Sequence, residues 1–115
     1  MNNSCLSEET LEKLLADTGI ALWPQLRTCF IDEAQSRVEA LSNCSNDRQL
    51  LLRESHTLCT SGATFGAIVL SECAGRIEGL ALAGSPEEIN ELIAQLKRLW
   101  QQTQSELLAY QPKEP

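Results

Sequence analysis

The stretch SPEEINELIAQLKRLWQQTQSEL, from Ser85 to Leu107, marks both the start and the buried face of one long helix. Ser85 is a preferred N-cap residue, Pro86 suits the first helical position, and Glu88 stands where a capping box needs its acid. Mostly apolar residues then recur every three or four positions, as on one face of a helix: Ile89, Leu92, Ile93, Leu96, Trp100, Thr103 and Leu107. The stretch therefore predicts an amphipathic helix whose apolar face needs partners.

Four further segments share this periodicity, and no segment has the alternation typical of a strand. They run from about 7 to 17, 22 to 41, 47 to 65 and 67 to 82. Ser7 and either Asn46 or Asp47 are the expected caps, whereas Gly66 and Gly84 are the expected stops. Short loops favour antiparallel neighbours, so the sequence predicts an all-α fold. The predicted architecture is an antiparallel up-down four-helix bundle with a short additional N-terminal helix covering one end.

Composition and charge narrow the classes of function. A chain of 115 residues fits a single domain over 1–115, with flexible ends at roughly 1–6 and 111–115. The net charge of −7 disfavours nucleic acid and anionic membranes as partners. No apolar run is long enough to span a bilayer, and the polar, acidic N-terminus lacks the features of a secretory signal, so we expect a cytoplasmic protein.

The metal-ligating residue types give no metal-site pattern. The chain has five cysteines without a Cys-x-x-Cys pair, and a single histidine, so the spacing of a zinc site is absent. Reduced, partly buried thiols in a cytoplasmic protein are the ordinary interpretation of such cysteines. We therefore expect no zinc site.

The histidine, His56, lies in the stretch ESHTLCTSGATFGA, from Glu54 to Ala67. On a helical wheel, Leu58 lies about 200° and Phe65 about 180° from His56, so these two residues anchor the core and His56 points to solvent. An exposed histidine on a helix is most often an ordinary surface residue. From position alone, a functional role is one alternative among others.

The residues around His56 are small for an exposed helical face. Thr60, Ala63 and Ala67 lie within about 40° of it, and Cys59 within about 60°. A low surface of this kind lets another protein reach the imidazole, and exposed apolar strips often mark contact surfaces. Arg53 lies one turn towards the N-terminus and can bring positive charge near the ring. A second interpretation is a Cys59/His56 pair acting as a thiol sensor or nucleophile, since a neighbouring imidazole can activate a thiol.

The same stretch resembles the signature of histidine-containing phosphotransfer (HPt) domains. That signature runs roughly His-x-Leu-Lys-Gly-Ser/Ala, then small residues, then an apolar residue before Gly-Ala. The residues that fit it are His56, Leu58, Ser61, Gly62, Phe65, Gly66 and Ala67. The following LSECAGRIEGLALAG is similar to the family's next helix, with Leu70, Cys73, Ala74 and Ile77 at its apolar spacing. The resemblance covers essentially the whole chain and is strongest to the small monomeric proteins of bacterial quorum-sensing phosphorelays.

The resemblance implies a phosphocarrier of a two-component phosphorelay, not an enzyme. His56 would accept a phosphoryl group from an aspartyl phosphate on the receiver domain of a hybrid sensor kinase. It would then pass the group to the aspartate of a response-regulator receiver. Receiver contact and phosphate support would fall to Arg53, Cys59, Thr60, Ala63 and Ala67. The chain would need no cofactor, because Mg²⁺ belongs to the receiver, and it would act as a monomer.

Two positions depart from the family's pattern. Cys59 stands where the family usually has a lysine, and Thr60 where it often has glycine. The lysine would offset phosphate charge, which Cys59 cannot do, so Arg53 is the candidate substitute. A degenerate HPt-like bundle that binds receivers or other regulators without phosphotransfer is the main alternative function.

Overall fold

The computed structural model describes residues 4–43 and 46–113. Within these ranges the chain forms five α-helices and, ahead of α2, a short 3-10 turn at Ile20–Leu22, with no strand. The helices are α1 (Glu8–Thr18), α2 (Trp23–Asn43), α3 (Arg48–Thr64), α4 (Ile68–Leu80) and α5 (Pro86–Ala109). The predicted all-α fold is confirmed, with helix ends within a few residues of those expected.

Side chains cap three of the helices as the sequence predicts. Ser7 accepts a hydrogen bond from the Thr10 N–H at the start of α1, and Asp47, not Asn46, accepts one from the Leu50 N–H at the start of α3. At the start of α5, Ser85 and Glu88 form a complete capping box. Each cap satisfies backbone groups that a helix leaves unpaired at its N-terminus.

Helices α2 to α5 form the four-helix bundle. Each packs against the next in sequence, and α5 also packs against α2, which closes the ring. The core between them is mostly aliphatic, as the low aromatic content requires, with Phe30 and Trp100 in edge-to-face contact. Its largest fully buried side chains include Phe30, Leu41, Leu51, Leu58, Leu70, Ile77, Ile89, Leu96 and Leu107. No helix of the described ranges is long and apolar enough to cross a bilayer.

Helix α1 is attached to the bundle at the turn between α3 and α4. Leu11 and Leu15 are buried, and the Ser7 N–H donates to the Gly66 carbonyl oxygen at 2.7 Å. Gly66 has φ of +74°, a left-handed conformation that glycine adopts without strain. A Cβ atom at Gly66 would also lie 2.9 Å from the Ser7 carbonyl oxygen. Gly66 therefore ends α3 and makes room for α1.

The segment Ser4–Ser7, here called the N-terminal arm, is fixed by a carboxylate on α5. Glu106 accepts a hydrogen bond from the Ser4 hydroxyl at 2.5 Å, and the Cys5 N–H lies 3.0 and 3.1 Å from its two oxygens. Cys5 is buried. The sequence predicts a flexible end over residues 1–6, and in the structure residues 4 and 5 have a partner about a hundred positions away, which leaves no local signal. Residues 1–3 and 114–115, also predicted to be flexible, lie outside the described residues.

Candidate functional site

His56 lies on the solvent side of α3, as the helical wheel predicts. Its side chain is 65% exposed, whereas Leu58, on the opposite side of the helix, is fully buried. Phe65, the other expected anchor, is half-buried and stacks on Phe30 of α2 with ring centroids 4.6 Å apart. The two apolar residues fix the rotation of α3 about its axis and thereby hold His56 outward.

One ring nitrogen of His56 is engaged by α4. Nδ1 lies 2.8 Å from Oε2 of Glu78, whose side chain is 31% exposed. A carboxylate only accepts hydrogen bonds, so in the neutral ring this contact selects the tautomer with the proton on Nδ1. The lone pair is then on Nε2, the other ring nitrogen. Chemically, the arrangement is an oriented nucleophile on an exposed surface.

Sequence reasoning missed Glu78. It lies on the helix after His56, in a stretch noted only for its apolar residues, and no local motif marks it. Its side chain reaches His56 because α3 and α4 pack closely against each other. The antiparallel pairing predicted for these helices gives their relative position only approximately, so the contact requires the structure.

Two shallow depressions flank His56 and make the ring accessible. One is bordered by Gln49, Leu52, Arg53, Thr57 and Glu78, and the other by Thr57, Thr60, Ser61, Thr64 and Phe65. Arg53 therefore shares a depression with the ring, as predicted, and it is a cation beside the proposed acceptor. Thr60 and Ala63 are also exposed on this side of α3.

The hydroxyl groups of the second depression turn back towards the helix. Thr57, Thr60, Ser61 and Thr64 each donate to the carbonyl oxygen four residues earlier, at 3.0 to 3.1 Å. Their hydroxyl hydrogens are thus engaged by the backbone, and what they offer a partner is a hydrogen-bond acceptor and, on threonine, a methyl group. Thr60 is consistent with the low surface expected next to His56 although it replaces a glycine of the family pattern.

The structure corrects the placement of two predicted contact residues. Ala67 is fully buried, because α3 ends at Thr64 and the chain turns at Gly66 before the wheel can place Ala67 beside His56. Cys59 is half-buried and faces α4, with its sulfur 3.6 Å from the Ser71 hydroxyl. A Cβ atom built on Gly75 would lie 3.4 Å from the same sulfur.

Small residues between α3 and α4 therefore serve packing as well as accessibility. Gly62 is buried, and a Cβ atom there would lie 3.3 Å from Cβ of Ser71. The Ser71 hydroxyl also donates to the Cys59 carbonyl oxygen at 2.7 Å. Cys59 and Gly62 allow the close approach that brings Glu78 to His56.

The contacts of Cys59 and His56 argue against a reactive centre formed by these two side chains. Cys59 contacts Ser71, while the ring of His56 contacts Glu78, so the two side chains have different partners. The four described cysteines are free thiols, and Cys44 lies outside the described residues. Burial raises the pKa of both Cys5 and Cys73, which makes these thiols less reactive.

The acidic and metal-ligating side chains form no cluster in the described part of the chain. No group of three or more histidine, cysteine, aspartate or glutamate side chains within 4–43 and 46–113 is arranged to hold a metal ion. The depression that contains Arg53 and Glu78 therefore offers one imidazole, one carboxylate and one guanidinium.

Several known proteins are similar to this chain in sequence or in fold, and the similarity extends over most of its length. The phosphorelay protein LuxU of Vibrio harveyi is 37% identical over 90 residues, covering 76% of this chain and 79% of its own. LuxU of Vibrio vulnificus strain YJ016 is 30% identical over 109 residues, covering 92% and 94%. The crystal structure of histidine-containing phosphotransfer protein B from Pseudomonas aeruginosa PAO1 superposes with a TM-score of 0.82 at 21% identity, covering 96% of this chain and all of that one.

The match to a family model is equally extensive. The Hpt domain model matches residues 25–106, from the start of α2 almost to the end of α5, and so includes His56 and Glu78. With that match and relatives at 30% identity or more over most of their length, the chain belongs to the Hpt domain family.

Proposed function

We propose that the chain is a phosphorelay intermediate in which His56 carries the phosphoryl group. The group arrives from an aspartyl phosphate on one receiver domain and leaves to the aspartate of another. The observation that carries this proposal is the state of the ring, which is 65% exposed and has Nδ1, not Nε2, against Glu78. His56 is also the only histidine of the sequence, within a chain whose relatives are named phosphorelay proteins.

The transfer requires little from this chain besides the nucleophile. The Nε2 lone pair attacks phosphorus in line, the Nε2–P bond forms, the P–O bond to the receiver aspartate breaks, and that carboxylate leaves with the bonding electrons. In onward transfer the second receiver's carboxylate attacks phosphorus and the electron pair returns to Nε2. Phosphoryl transfer depends mainly on alignment and on neutralising charge. In this proposal Mg²⁺ comes with the receiver's acidic pocket, and this chain contributes no metal ligand.

The surface around His56 supports docking by another protein. The ring stands between two shallow depressions, and the second is bordered mostly by serine and threonine, so a receiver can approach from that side without displacing long side chains. Arg53 lies in one of these depressions and can offset part of the negative charge of the phosphoryl group. Cys59 faces α4 and brings no charge, so Arg53 takes over part of the role that a lysine has in the family pattern.

The same proposal implies what type of protein the chain is, which partners it meets and in what oligomeric state it acts. The chain would be a carrier that is itself modified and restored, not an enzyme with its own active site. Its partners would be the receiver domains of a hybrid sensor kinase and of a response regulator, met in the cytoplasm. We propose that it acts as a monomer, because α3 and α4 must leave His56 open to each receiver in turn.

The test is phosphoryl transfer from a receiver domain labelled with ³²P on its aspartate. The wild-type chain should acquire acid-labile, alkali-stable label, the stability expected of phosphohistidine, and a second receiver should remove it. His56→Gln should acquire none while keeping its helical circular dichroism. Wild-type protein that never acquires label would favour a fold that binds receivers without chemistry. Label that persists in His56→Gln would place the acceptor elsewhere. Either result contradicts the proposal.

A further inference from the structure

The first residue of α3, Arg48, reaches across to the C-terminal end of α4. Its Nη1 group donates to the Ala81 carbonyl oxygen at 3.3 Å and to the Gly84 carbonyl oxygen at 2.9 Å. Both oxygens belong to the segment 81–84, here called the α4–α5 turn, which follows the last residue of α4. Arg48 is half-buried, so these two bonds are partly shielded from water. The start of one helix is therefore tied to the end of the next.

We infer that Arg48 is a positioning residue, which fixes the last turn of α4 and thereby holds Glu78 against His56. The inference rests on the proposed function, because it concerns the ring that would carry the phosphoryl group. Three observations support it. They are the two hydrogen bonds of Arg48, the unfavourable place of this cation in its own helix, and the position of Glu78 in the turn that the bonds hold.

Arg48 is poorly placed for the helix to which it belongs. The N-terminus of a helix carries partial positive charge and favours anions, and Asp47 supplies one as the cap of α3. A guanidinium in the first turn opposes that charge. The C-terminus of a helix carries partial negative charge and leaves its last carbonyl groups without intrahelical partners. Arg48 is favourable at the end of α4, where it supplies both a positive charge and the missing donors.

Glu78 lies in the last turn of α4, next to the segment that Arg48 holds. Helix α4 ends at Leu80, and the Glu78 carbonyl oxygen accepts from the Ala81 N–H at 3.2 Å. Ala81 is thus bonded through its N–H to Glu78 and through its carbonyl oxygen to Arg48. The α4–α5 turn also folds back on the helix, because the Gly84 N–H donates to the Leu80 carbonyl oxygen at 2.7 Å. Loosening this turn therefore affects the backbone of Glu78 directly.

A second contact holds α4 on the other side of the ring. The Ser71 hydroxyl donates to the Cys59 carbonyl oxygen at 2.7 Å. On α3, His56 lies between Arg48 and Cys59. On α4, Glu78 lies between Ser71 and the α4–α5 turn. The two contacts therefore lie on either side of the ring and its carboxylate, and loss of Arg48 leaves one side of the site unsupported.

The position of Glu78 matters because a neutral imidazole has two tautomers. Against the carboxylate, the proton is on Nδ1 and the lone pair is on Nε2. When the carboxylate moves away, the ring also populates the tautomer protonated on Nε2, which has no lone pair there to attack phosphorus. Breaking the Nε2–P bond, in turn, releases a neutral imidazole only while Nδ1 keeps its proton. Loss of Arg48 should therefore slow both the gain and the loss of the phosphoryl group.

Substitutions of arginines separate local positioning from general stability. Arg48→Met removes the charge and the donors but keeps an unbranched side chain over the same surface. Arg48→Lys keeps a positive charge at the end of α4. Arg37→Met is the control for stability, because Arg37 of α2 pairs with Glu54 of α3 at 2.6 Å and so joins a different pair of helices. Arg98→Met is the control for charge, at an exposed position of α5.

The first measurement is nitrogen NMR of protein labelled with ¹⁵N-histidine and purified without a histidine tag. Because His56 is the only histidine, the spectrum contains one pair of ring resonances. At a pH where the ring is neutral, wild type and both controls should show Nδ1 protonated and Nε2 unprotonated. Arg48→Met should move both shifts towards the opposite tautomer, with Arg48→Lys between. A general loss of stability would move the shifts of Arg37→Met as well.

The second measurement is loading of His56 by a small phosphoramidate, which needs no docked receiver, followed by the decay of the phosphohistidine. Arg48→Met should load roughly threefold more slowly than wild type and hold the group correspondingly longer, as expected from the loss of a hydrogen bond of ordinary net strength. Arg37→Met and Arg98→Met should match wild type. A rate that falls only with a receiver as donor would make Arg48 a docking contact and would overturn the inference.

Two further results would contradict the role of Arg48. One is that the ring shifts and loading rate of Arg48→Met equal those of Arg98→Met, and the other is that Arg37→Met changes them as much. Both are distinct from failure of the proposed function. If wild-type protein never carries phosphate on His56, the relay proposal fails, and the ring shifts still test the role of Arg48. If wild type is phosphorylated and the Arg48 variants behave as the controls do, the relay proposal stands and the inference fails.

Discussion

Two glutamates at different places on the bundle accept hydrogen bonds from residues outside their own helix, and they differ in how firmly they are held. Glu106 on α5 accepts from the Ser4 hydroxyl, the Cys5 N–H and the Gln102 amide. Glu78 on α4 accepts from one nitrogen of an exposed ring. Burial raises the pKa of Glu106, but its hydrogen bonds from Ser4 and Cys5 outweigh burial and hold that pKa below its usual value.

This difference shows how a glutamate side chain can stabilise the fold at one position and influence a reactive group at another. A carboxylate with several donors, two of them from the N-terminal arm, fixes a segment that would otherwise fray. A carboxylate with a single exposed partner adds little to stability, yet it can bias the protonation of that partner. Stability should therefore depend on Glu106 and phosphotransfer on Glu78.

The largest expected effect is on folding, from Glu106→Ala. Removing the carboxylate leaves the Cys5 N–H without its acceptor and releases the N-terminal arm, at a cost of about 2–3 kcal/mol. Glu78→Ala should change the free energy of unfolding by no more than about 0.5 kcal/mol. Urea denaturation followed by circular dichroism measures both. Equal losses of stability in the two variants would show that the comparison between the carboxylates is mistaken.

Gly66→Ala tests the other attachment of the arm. The substitution forces an alanine to φ of +74° and sets its Cβ atom 2.9 Å from the Ser7 carbonyl oxygen, so either α1 or the turn must shift. We expect a loss of about 2 kcal/mol. Gly79→Ala is the matched control, because a Cβ atom there meets nothing within 4 Å and α-helices favour alanine over glycine. The control should be neutral or slightly stabilising in the same denaturation experiment.

Much of this fold is predictable because its determinants are local. The caps at Ser7, Asp47 and Ser85, and the periodic apolar faces, depend on residues within a few positions of each other. The partner of the N-terminal arm does not follow from the sequence, because Glu106 lies at its far end. Ala67 was misplaced because a wheel assumes that the helix continues, and α3 stops just before it.

The candidate site likewise has one feature that the sequence predicts and one that it does not. The outward direction of His56 follows from Leu58 on its own helix and Phe65 at the end of that helix, so the sequence suffices. The partner of its ring does not follow, because Glu78 belongs to a different helix and its reach depends on how closely α3 and α4 pack. Gly62 and Gly75 allow that close packing, because a Cβ atom on either would lie 3.3 to 3.4 Å from a side chain of the facing helix.

Acid should weaken the contribution of Glu106 in a predictable direction. Its pKa lies below the ordinary value of 4.5 in the folded chain. A carboxylate with a depressed folded-state pKa stabilises the fold above its unfolded pKa, and the contribution is lost as the pH falls through the folded value. The difference in unfolding free energy between wild type and Glu106→Gln should be full at pH 7 and shrink below about pH 4.5. A difference that is constant between neutral and acid pH would contradict this account.

The smallest effects concern the charge on the phosphoryl group itself. Arg53→Ala removes the cation from the depression beside His56 and should slow transfer or shorten the phosphohistidine lifetime by about twofold, as expected for an exposed pair worth about 0.5 kcal/mol. Cys59→Lys should lengthen that lifetime. The introduced ammonium can offset phosphate charge, and from a position facing α4 it can also compete with His56 for Glu78. Lifetimes unchanged in both variants would mean that phosphate charge is offset by the receiver alone.

Combining the substitutions distinguishes those two roles of the introduced ammonium. If Cys59→Lys acts by withdrawing Glu78, it should lengthen the lifetime in the wild-type background and have little further effect in Glu78→Gln. If it acts on the phosphoryl group, its effect should be the same in both backgrounds, because independent contributions to a barrier add. The first result would link the missing lysine to the carboxylate on α4. The chain would then hold its phosphoryl group briefly because Cys59, unlike a lysine, does not compete with His56 for Glu78.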